Sequence, residues 1–467
     1  MEKSEDKNIT DPYRLNFHLM PPQGWLNDPN GLCCFKGEYH IFFQYAPDSP
    51  TGGGKKVWGH YAGKSLIDLD FKGISLYADN EADRNGVYSG SALIDEGVMK
   101  LYYTGNVKQA GDHDYTYSGR EANTVMVSSD DGIHFSEKNL LMTNSDYPAE
   151  YTCHVRDPKV WKSDGRTFMV QGGRLDGRGT EAGDKGAVIV FERAPMPEDG
   201  KANKSSAAEE SGSDTLAEKW TVLCNISTHD PFGYMWECPD YFAIKGKKFL
   251  SCSPQGLASE EYRYQNVYQS GYFSLSDGTD IMNANGHGDS YIYIDSPQEC
   301  FTEWDMGFDF YAPQSFTDDK GRMILIGWAG IPDADYDNEP TVKEGWQHAL
   351  TVPRVISVSE KNGKLLQYPV EEIETLRQDM RSAAENSDTP LPLRSADILA
   401  EGLSAEDLLD GRDKAEILQV KNAGSELFGL SISGNDNAGE NVYILTLSLS
   451  SDAGRGRTER KVLLDRL

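Results

Sequence analysis

Three carboxylates in short polar motifs are the side chains of this sequence best suited to catalysis. Asp28 lies in WLNDPNG, Asp157 in HVRDPKVW and Glu237 in YMWECPDYF. Hydrogen bonding from Asn27 can hold Asp28 ionised, as a carboxylate nucleophile requires. The tryptophan and cysteine that flank Glu237 form an apolar setting, which raises the pKa of a carboxyl group and suits it to proton donation. One ionised and one protonated carboxyl group are what glycoside hydrolysis uses.

The third carboxylate, Asp157, directly follows Arg156 in the chain. Because an adjacent guanidinium favours the charged carboxylate, we expect Asp157 to be a poor proton donor that holds substrate hydroxyls and stabilises positive charge in the transition state. Each motif also has a structural interpretation: an Asx turn at Asp28, an Arg156–Asp157 ion pair and a surface position for Glu237. Asp240 competes with Glu237 as the acid, but it lies farther along the predicted strand.

The elements that must position these carboxylates belong to a pattern that occurs five times. Each copy has a polar or aromatic patch, a short apolar run, a turn with glycine and a second, more apolar run. The five turn glycines are Gly37, Gly97, Gly165, Gly246 and Gly321. Each of the three carboxylates lies eight or nine residues before the glycine of its own repeat, so a radial array of five sheets would bring them together at its axis. The sequence therefore predicts an all-β fold built around a five-bladed β-propeller.

Domain boundaries follow from where this pattern ends. We expect the propeller to span residues 1–357, a linker with a short helix (PVEEIETLRQDM) to span 358–380, and a second module to span 381–467. Alternation in ELFGLSISG and NVYILTLSLSS predicts antiparallel strands with one solvated face in that module. The polar run 194–218 is predicted to be a surface loop.

Charge and composition exclude several classes of function. The formal net charge of -29 argues against non-specific binding to nucleic acid or to anionic membranes. The sequence has no CxxC pair, HExxH motif or P-loop, so neither a metal nor a cofactor is expected. Its N-terminus has no apolar leader-like run, and no stretch approaches the roughly 18 apolar residues of a membrane span. The odd number of cysteines, seven, favours free thiols in a reducing, cytoplasmic compartment.

Six motifs occur in the order found in glycoside hydrolase family 32, which includes invertases and fructan hydrolases: WLNDPNG, FFQY, WGHY, YSGSA, RDPKVW and WECPDYF. The chain resembles this family from about Tyr13 to its end. The resemblance implies a five-bladed propeller followed by a β-sandwich, and hydrolysis with retention of configuration. It implies that Asp28 is the nucleophile, Glu237 the acid/base and Asp157 the transition-state stabiliser. The implied fructose-binding groups are Asn27, Gln44, Tyr88, Ser89 and Arg156, with Trp58 and Trp328 as aromatic walls and Asp305 as a further contact.

Within the family, TGNVK, GFDFYAPQSF and GWQHALTVPR are similar to the bacterial intracellular sucrose-6-phosphate hydrolases. The resemblance implies a small-molecule sugar partner: sucrose, sucrose 6-phosphate or a short fructo-oligosaccharide. A phosphorylated substrate would require a local basic cluster in this acidic chain, for which Lys55 and Lys56 are candidates. The sequence stops at RKVLLDRL, before the family's sandwich ends, so we expect a truncated C-terminal β-sandwich.

Alternative functions use similar scaffolds. A fructosyltransferase would differ only in whether a sugar hydroxyl or water reaches the covalent intermediate, and the sequence leaves this choice and the oligomeric state open. A non-catalytic carbohydrate-binding propeller would be favoured by substitution of one of the three carboxylates, and none is substituted. A five-bladed hydrolase acting on arabinose-containing chains is disfavoured by the complete WLNDPNG and WECPD motifs.

Overall fold

The computed structural model describes residues 11–194, 218–276, 278–284 and 290–376, and the backbone of residues 418–421, 426–435, 442–451 and 458–464. The chain divides into two compact units, Met1–Leu376 and Arg377–Leu467. The predicted loop 194–218 lies almost entirely outside the described residues. Of the segment predicted to form the linker helix, residues 369–372 are not helical, residues 373–376 are helical, and residues 377–380 lie outside the described residues.

The first unit contains five antiparallel sheets, which follow one another in the chain and which we number as blades 1 to 5. Their strands are as follows. Blade 1 holds β1 (Gly24–Phe35), β2 (Glu38–Ala46), β3 (Val57–Ser65) and β4 (Asp68–Leu76), and blade 2 holds β5 (Val87–Asp95), β6 (Val98–Lys108), β7 (Arg120–Ser129) and β8 (Asn139–Met142). Blade 3 holds β9 (Tyr151–Ser163), β10 (Arg166–Leu175), β11 (Lys185–Arg193) and β12 (Trp220–Thr228), and blade 4 holds β13 (Met235–Ile244), β14 (Lys247–Gln255), β15 (Gly271–Ser274) and β17 (Phe301–Glu303). Blade 5 holds β18 (Phe310–Thr317), β19 (Met323–Ala329), β22 (Arg354–Val358) and β23 (Leu365–Pro369).

Short elements complete this unit. Strand β16 (Tyr291–Ile294) pairs in parallel with β12, β20 (Trp346–Gln347) pairs in parallel with β1, and β21 (Ala349–Leu350) pairs with β19. Besides residues 373–376, the helices in the described part of this unit are α1 (Pro297–Cys300), α2 (Glu339–Lys343) and two 3-10 turns, Glu81–Asp83 and Asn144–Asp146. Blade 5 continues to Pro369, within the range predicted as a linker, and the predicted domain boundaries otherwise stay predictions.

The innermost strands close into a ring, which confirms the predicted five-bladed propeller. Strand β1 packs against β5, β5 against β9, β9 against β13, β13 against β18, and β18 returns to β1. Each blade interface is filled by its own apolar core. Because the sheets bury both faces between neighbours, the repeats stabilise one another rather than folding independently.

The predicted turn glycines lie in the tight turns between the first two strands of each blade. In blades 1 to 4 the residue before the glycine also has a positive φ, as at Lys36 (51°) and Gly37 (81°). Positive φ at both central residues is the type I′ turn that matches the twist of a two-residue hairpin. Local turn chemistry thus sets the register of four of the inner hairpins.

Every innermost strand carries a β-bulge, where two residues oppose one residue of the second strand. The bulged pairs are Asn27 with Asp28, Tyr88 with Ser89, Asp157 with Pro158, Cys238 with Pro239, and Ala312 with Pro313. Proline suits these positions because a bulged residue has no ladder hydrogen bond to lose. Bulges re-aim side chains, and these five lie where the ring of inner strands converges. We call this region the axial funnel.

The bulges correct the expectation that the three carboxylates occupy equivalent positions in their repeats. Asp157 occupies the first bulge position of blade 3, and its counterpart in blade 4 is Cys238. Glu237 lies one residue earlier, at the position that Arg156 holds in blade 3 and Tyr311 in blade 5. The carboxylates therefore converge from non-equivalent positions.

In the second unit, the described backbone forms one antiparallel sheet of four strands: β24 (Leu418–Lys421), β25 (Glu426–Asn435), β26 (Val442–Ser451) and β27 (Thr458–Leu464). This matches the antiparallel strands predicted there, and one sheet of the predicted sandwich falls within the described residues. None of the helices in the described part of the chain is long and apolar enough to cross a membrane.

Candidate active site

Asp28 and Asp157 meet at the thiol of Cys238 in the axial funnel. The Cys238 sulfur lies 3.8 Å from Oδ2 of Asp28 and 3.6 Å from Oδ2 of Asp157. The backbone N–H of Cys238, whose φ is 46°, donates to Asp157 Oδ2 at 2.9 Å. Since Glu237 immediately precedes this cysteine, the three predicted carboxylates come from three blades into one site.

Asp28 is half-buried and is held by neutral donors. Asn27 Nδ2 donates to its Oδ1 at 3.1 Å, and the Ser89 hydroxyl of blade 2 donates to its Oδ2. Burial raises the pKa of Asp28, while these two hydrogen bonds act to lower it. The Asn27 contact is present as predicted, but the effect of burial is larger, so the pKa of Asp28 is raised rather than lowered.

Side-chain hydrogen bonds fix Asn27, the neighbour of Asp28. Asn27 Nδ2 also donates to the Gln44 side-chain oxygen, and Trp25 Nε1 donates to Asn27 Oδ1 at 3.1 Å. Gln44 lies on β2 opposite the bulge, so the irregularity in β1 allows this contact. The interactions orient Asn27 so that its amide hydrogens face Asp28 and Gln44.

Glu237 accepts hydrogen bonds from three side chains. Arg156 Nη1 lies 3.2 Å from its Oε1, and Gln255 Nε2 and the Tyr311 hydroxyl donate to its Oε2 at 2.9 and 2.8 Å. Burial raises the pKa of Glu237, and the Arg156 charge and the Tyr311 hydrogen bond partly offset that rise. The predicted direction of the shift is present, although these polar partners replace the apolar setting inferred from the neighbours in the sequence.

Asp157 departs from its predicted environment. Its φ is 62°, its backbone N–H donates to Thr104 Oγ1 at 2.8 Å, and only 4% of the residue is exposed. Burial and the nearby Glu237 carboxylate raise the pKa of Asp157 more than the Arg156 charge lowers it. The Arg156–Asp157 ion pair, the structural alternative for this motif, is absent among the described contacts, because Arg156 extends to Glu237. Permanent ionisation of Asp157 is therefore not what this geometry favours.

The polar sugar-binding residues implied by the sequence are brought together. Asn27, Gln44, Ser89 and Arg156 contact one another or the carboxylates. Tyr88, which precedes Ser89 in the same bulge, is half-buried. The side chains around Asp28 and Glu237 thus offer a dense set of donors and acceptors for sugar hydroxyls.

The two predicted aromatic walls are corrected by their burial. Trp58 is 0% exposed in the core between blades 1 and 2, where its Nε1 donates to the Tyr88 carbonyl at 3.0 Å. Trp328 is 2% exposed and packs edge-on against Trp25 and His348. Both rings support the funnel from beneath because the strands that carry them direct them into interblade cores. The half-buried Trp25 is the better-placed aromatic side chain.

Asp305 and Asp240 have structural partners instead of places beside the catalytic carboxylates. Arg354 Nη2 donates to Asp305 Oδ2 at 2.6 Å, which ties the β17–β18 connection to the third strand of blade 5. Asp240 accepts from the backbone N–H of Ser315 at 2.6 Å and pairs with Lys159. No described contact joins Asp305 to the other sugar-binding residues, so its role as a further contact stays a prediction, and Asp240 links blades.

Two residues around the site, Tyr311 and Gln255, were missed by sequence reasoning, and both hold Glu237. Lys56, a candidate for a basic cluster in the sequence, lies over the Trp25 ring at 5.2 Å. The Asp28 charge acts to raise the pKa of Lys56, but burial lowers it to about 8. Aligning the repeats on their prolines could have found Tyr311, because it precedes Ala312 and Pro313 as Glu237 precedes Cys238 and Pro239. The described residues contain no group of three or more side chains suited to holding a metal ion.

Comparison with known proteins places this site in a family. The model of the glycosyl hydrolases family 32 N-terminal domain matches residues 18–191 and 211–369. The sucrose-6-phosphate hydrolase of Bacillus subtilis (strain 168) is 38% identical over 419 residues, which are 87% of this chain and 76% of that protein. The raffinose invertase of Escherichia coli is 34% identical over 397 residues, 84% of this chain and 71% of that protein. The structure of sucrose-6-phosphate hydrolase from Lactobacillus gasseri aligns with a TM-score of 0.65 at 25% identity, covering 98% of this chain and 82% of that one.

Proposed function

Because the chain belongs to glycosyl hydrolase family 32, we propose that it is a retaining β-fructofuranosidase acting on sucrose, sucrose 6-phosphate or short fructo-oligosaccharides. The observation that carries the proposal is the contrast between two carboxylates of one funnel. Among the described contacts Asp28 accepts only from neutral donors, Asn27, Ser89 and the Cys238 thiol, while Glu237 is held by Arg156, Gln255 and Tyr311. Burial raises the pKa of both groups, and only Glu237 has a cation that stabilises its anionic form between two proton transfers, so we assign Asp28 to attack and Glu237 to proton transfer.

In the first step Asp28 attacks the anomeric carbon of the fructosyl unit. The bond from that carbon to the glycosidic oxygen breaks, and protonated Glu237 gives its proton to the departing oxygen. The raised pKa of Glu237 supports this role because the group must carry a proton near neutral pH. The products of the step are the free leaving-group sugar and a fructosyl ester of Asp28.

In the second step the ionised Glu237 accepts a proton from water, whose oxygen attacks the same carbon and releases the Asp28 carboxylate. Arg156 stabilises the anionic Glu237 between the two steps. Two displacements at one carbon restore its configuration, so the product is β-fructofuranose.

Asp157 is proposed to bind sugar hydroxyls and to stabilise the positive charge that develops on the fructosyl ring. A carboxylate that is buried beside another acid costs free energy when it is ionised, and a cationic transition state would offset that cost. Asn27, Gln44, Tyr88, Ser89 and Arg156 are proposed to bind the remaining fructose hydroxyls.

The test is hydrolysis of sucrose and sucrose 6-phosphate side by side, with NMR identification of the first fructose anomer released. We expect β-fructofuranose from at least one substrate, and no turnover by the Asp28→Ala variant. Failure to release fructose from either sugar or from a short fructo-oligosaccharide, or initial release of the α-anomer, would contradict the proposal. Product analysis at high sucrose separates hydrolysis from fructosyl transfer.

A small-molecule sugar is the partner that the family supports. We also propose that the protein is an enzyme of the cytoplasm. This assignment is supported by the seven cysteines, all of which are free thiols in the structure, because thiols that stay unpaired are typical of reducing compartments.

A further inference from the structure

Two cations of blade 2 lie opposite each other in neighbouring strands and have no carboxylate partner among the described residues. Lys108, at the end of β6, is directly opposite Arg120, at the start of β7. Like charges directly opposite in an antiparallel pair destabilise a sheet. Neither side chain has an ion-pair partner among the described residues. A bound anion would remove that repulsion.

Arg120 has donor capacity that the protein leaves unused. Its Nε is buried and makes no hydrogen bond within the described part of the chain, and the same is true of Nη2 of neighbouring Arg156. Other arginines nearby are occupied, as in the pair of Arg174 with Asp184 at 2.5 Å. A buried guanidinium nitrogen without an acceptor is costly, which indicates that an acceptor comes from a ligand.

The cations crowd one another on the acid/base side of the site. Burial and the Arg156 charge lower the pKa of Arg120 to about 10, and burial and the charges of Arg120 and Arg156 lower the pKa of Lys108. Strand β7, which begins with Arg120, packs against β9, which carries Arg156, and Arg156 donates to Glu237 at 3.2 Å. The Glu237 carboxylate acts to raise the pKa of Arg120, in the opposite direction to burial. Lys108 lies 5.1 Å from the ring centre of Tyr115, so an aromatic surface also holds its ammonium group.

This location corresponds to the leaving-group half of a substrate. Glu237 protonates the departing oxygen, so the sugar that leaves must lie against Glu237 and the side chains beyond it. The earlier candidates fit less well: Lys55 is exposed, and the Lys56 amine donates to the Gly52 carbonyl at 3.0 Å on the Asp28 side.

We propose that Arg120, assisted by Lys108, binds a phosphate monoester on the leaving-group sugar and so determines specificity for a phosphorylated disaccharide. This inference rests on the proposed β-fructofuranosidase function. The guanidinium provides two parallel donors to phosphate oxygens, and the lysine adds a point charge. In a chain with a net charge of -29, such a local cluster also counters the general repulsion of an anionic substrate.

The test compares kcat/KM for sucrose 6-phosphate and sucrose in the wild type, Arg120→Gln, Arg120→Lys and Lys108→Gln. We expect the ratio of the two constants to fall by more than about tenfold in Arg120→Gln and by less in Arg120→Lys and Lys108→Gln. Arg84→Gln is the matched control, since Arg84 is a half-exposed arginine of the same blade that pairs with Glu81. Its ratio should equal that of the wild type.

A binding experiment keeps the inference testable apart from turnover. Glucose 6-phosphate should bind the wild type more tightly than glucose by calorimetry, and Arg120→Gln should lose that preference while its thermal unfolding stays cooperative. An unchanged ratio and preference in Arg120→Gln, or loss of preference in Lys56→Gln instead, would overturn the assignment. If neither the wild type nor any variant hydrolyses either disaccharide, but the wild type still binds glucose 6-phosphate more tightly than glucose, the proposed hydrolysis is contradicted. The anion site is then still supported.

Discussion

The guanidinium of Arg156 donates to Glu237 at 3.2 Å and not to Asp157, its neighbour in the sequence. The contact crosses from blade 3 to blade 4 and joins the predicted acid/base to a cation that stays charged throughout the reaction. Burial raises the pKa of Glu237 and Arg156 limits the rise. A group that must first give up a proton and then take one back is served by two opposing effects of this kind.

Tyr311→Phe should move the alkaline limb of the pH profile. The Tyr311 hydroxyl lowers the pKa of Glu237, which burial raises, so its removal raises that pKa further. Because the protonated acid is the active form in the first step, the alkaline limb of kcat/KM should shift to higher pH. The measurement is kcat/KM for sucrose as a function of pH.

The control for this shift is Tyr39→Phe. Tyr39 is also buried and also bonded to a carboxylate, Asp318 at 3.2 Å, but it lies in the core between blades 1 and 5. Removal of the Tyr39 hydroxyl should leave the alkaline limb of kcat/KM at the same pH as in the wild type. A Tyr311→Phe profile that coincides with the wild type, or that moves to lower pH, would refute the role of this hydroxyl.

Glu237→Gln should be rescued by substrates with good leaving groups. The amide cannot protonate the departing oxygen, so the loss of kcat/KM should be large for sucrose and much smaller for an activated aryl fructoside. Asp28→Ala is the comparison, since a variant without the nucleophile gains little from a better leaving group. Equal losses of Glu237→Gln on both substrates would remove Glu237 from the acid role.

Asp28→Ala should lower kcat by more than about a hundredfold without unfolding the protein. The carboxylate accepts from Asn27 and Ser89, whose polar groups can be rehydrated because the site is open enough to leave Asp28 half-buried. Stopped-time assays and thermal unfolding measure the two quantities. Activity above about one hundredth of the wild type would exclude Asp28 as the nucleophile.

Asp157→Asn should change how stability depends on pH. Burial and Glu237 raise the pKa of Asp157 in the folded state, so the folded protein retains a proton that the unfolded chain has already lost. The wild type therefore loses stability as the pH rises from the unfolded value toward the raised value. Since asparagine does not titrate, the free energy of unfolding of the variant, relative to the wild type, should increase between about pH 4.5 and about pH 8.

Asp95→Asn is the control for that experiment. Although burial raises the pKa of Asp95, hydrogen bonds from Lys162 and Lys100 bring it to about 2. Folded and unfolded forms are both ionised across the window used, so the difference from the wild type should be constant there. Urea unfolding at the two pH values measures both variants, and a constant difference for Asp157→Asn would contradict the raised pKa.

Features that depend on neighbours in the chain were predictable from the sequence. The turn glycines were identifiable because type I′ hairpins require positive φ, which Gly37 and its counterparts adopt readily. The five repeats followed from apolar alternation, and the motif residues Asp28, Asp157 and Glu237 were recognisable within them. Trp58 and Trp328 were misjudged because their motifs do not reveal which interblade core a side chain reaches.

The sequence by itself determined the five repeats, their hairpin turns and the identity of the carboxylates, since hydrophobic periodicity and turn chemistry are local properties. Only the tertiary structure decided which groups meet: Arg156 with Glu237, and Ser89 with Asp28. The physical reason is that bulges in the inner strands set the direction of the side chains in and beside them, and ring closure brings residues from different blades within hydrogen-bonding distance. The pKa of each carboxylate then follows from that burial and those partners, which no single stretch of sequence contains.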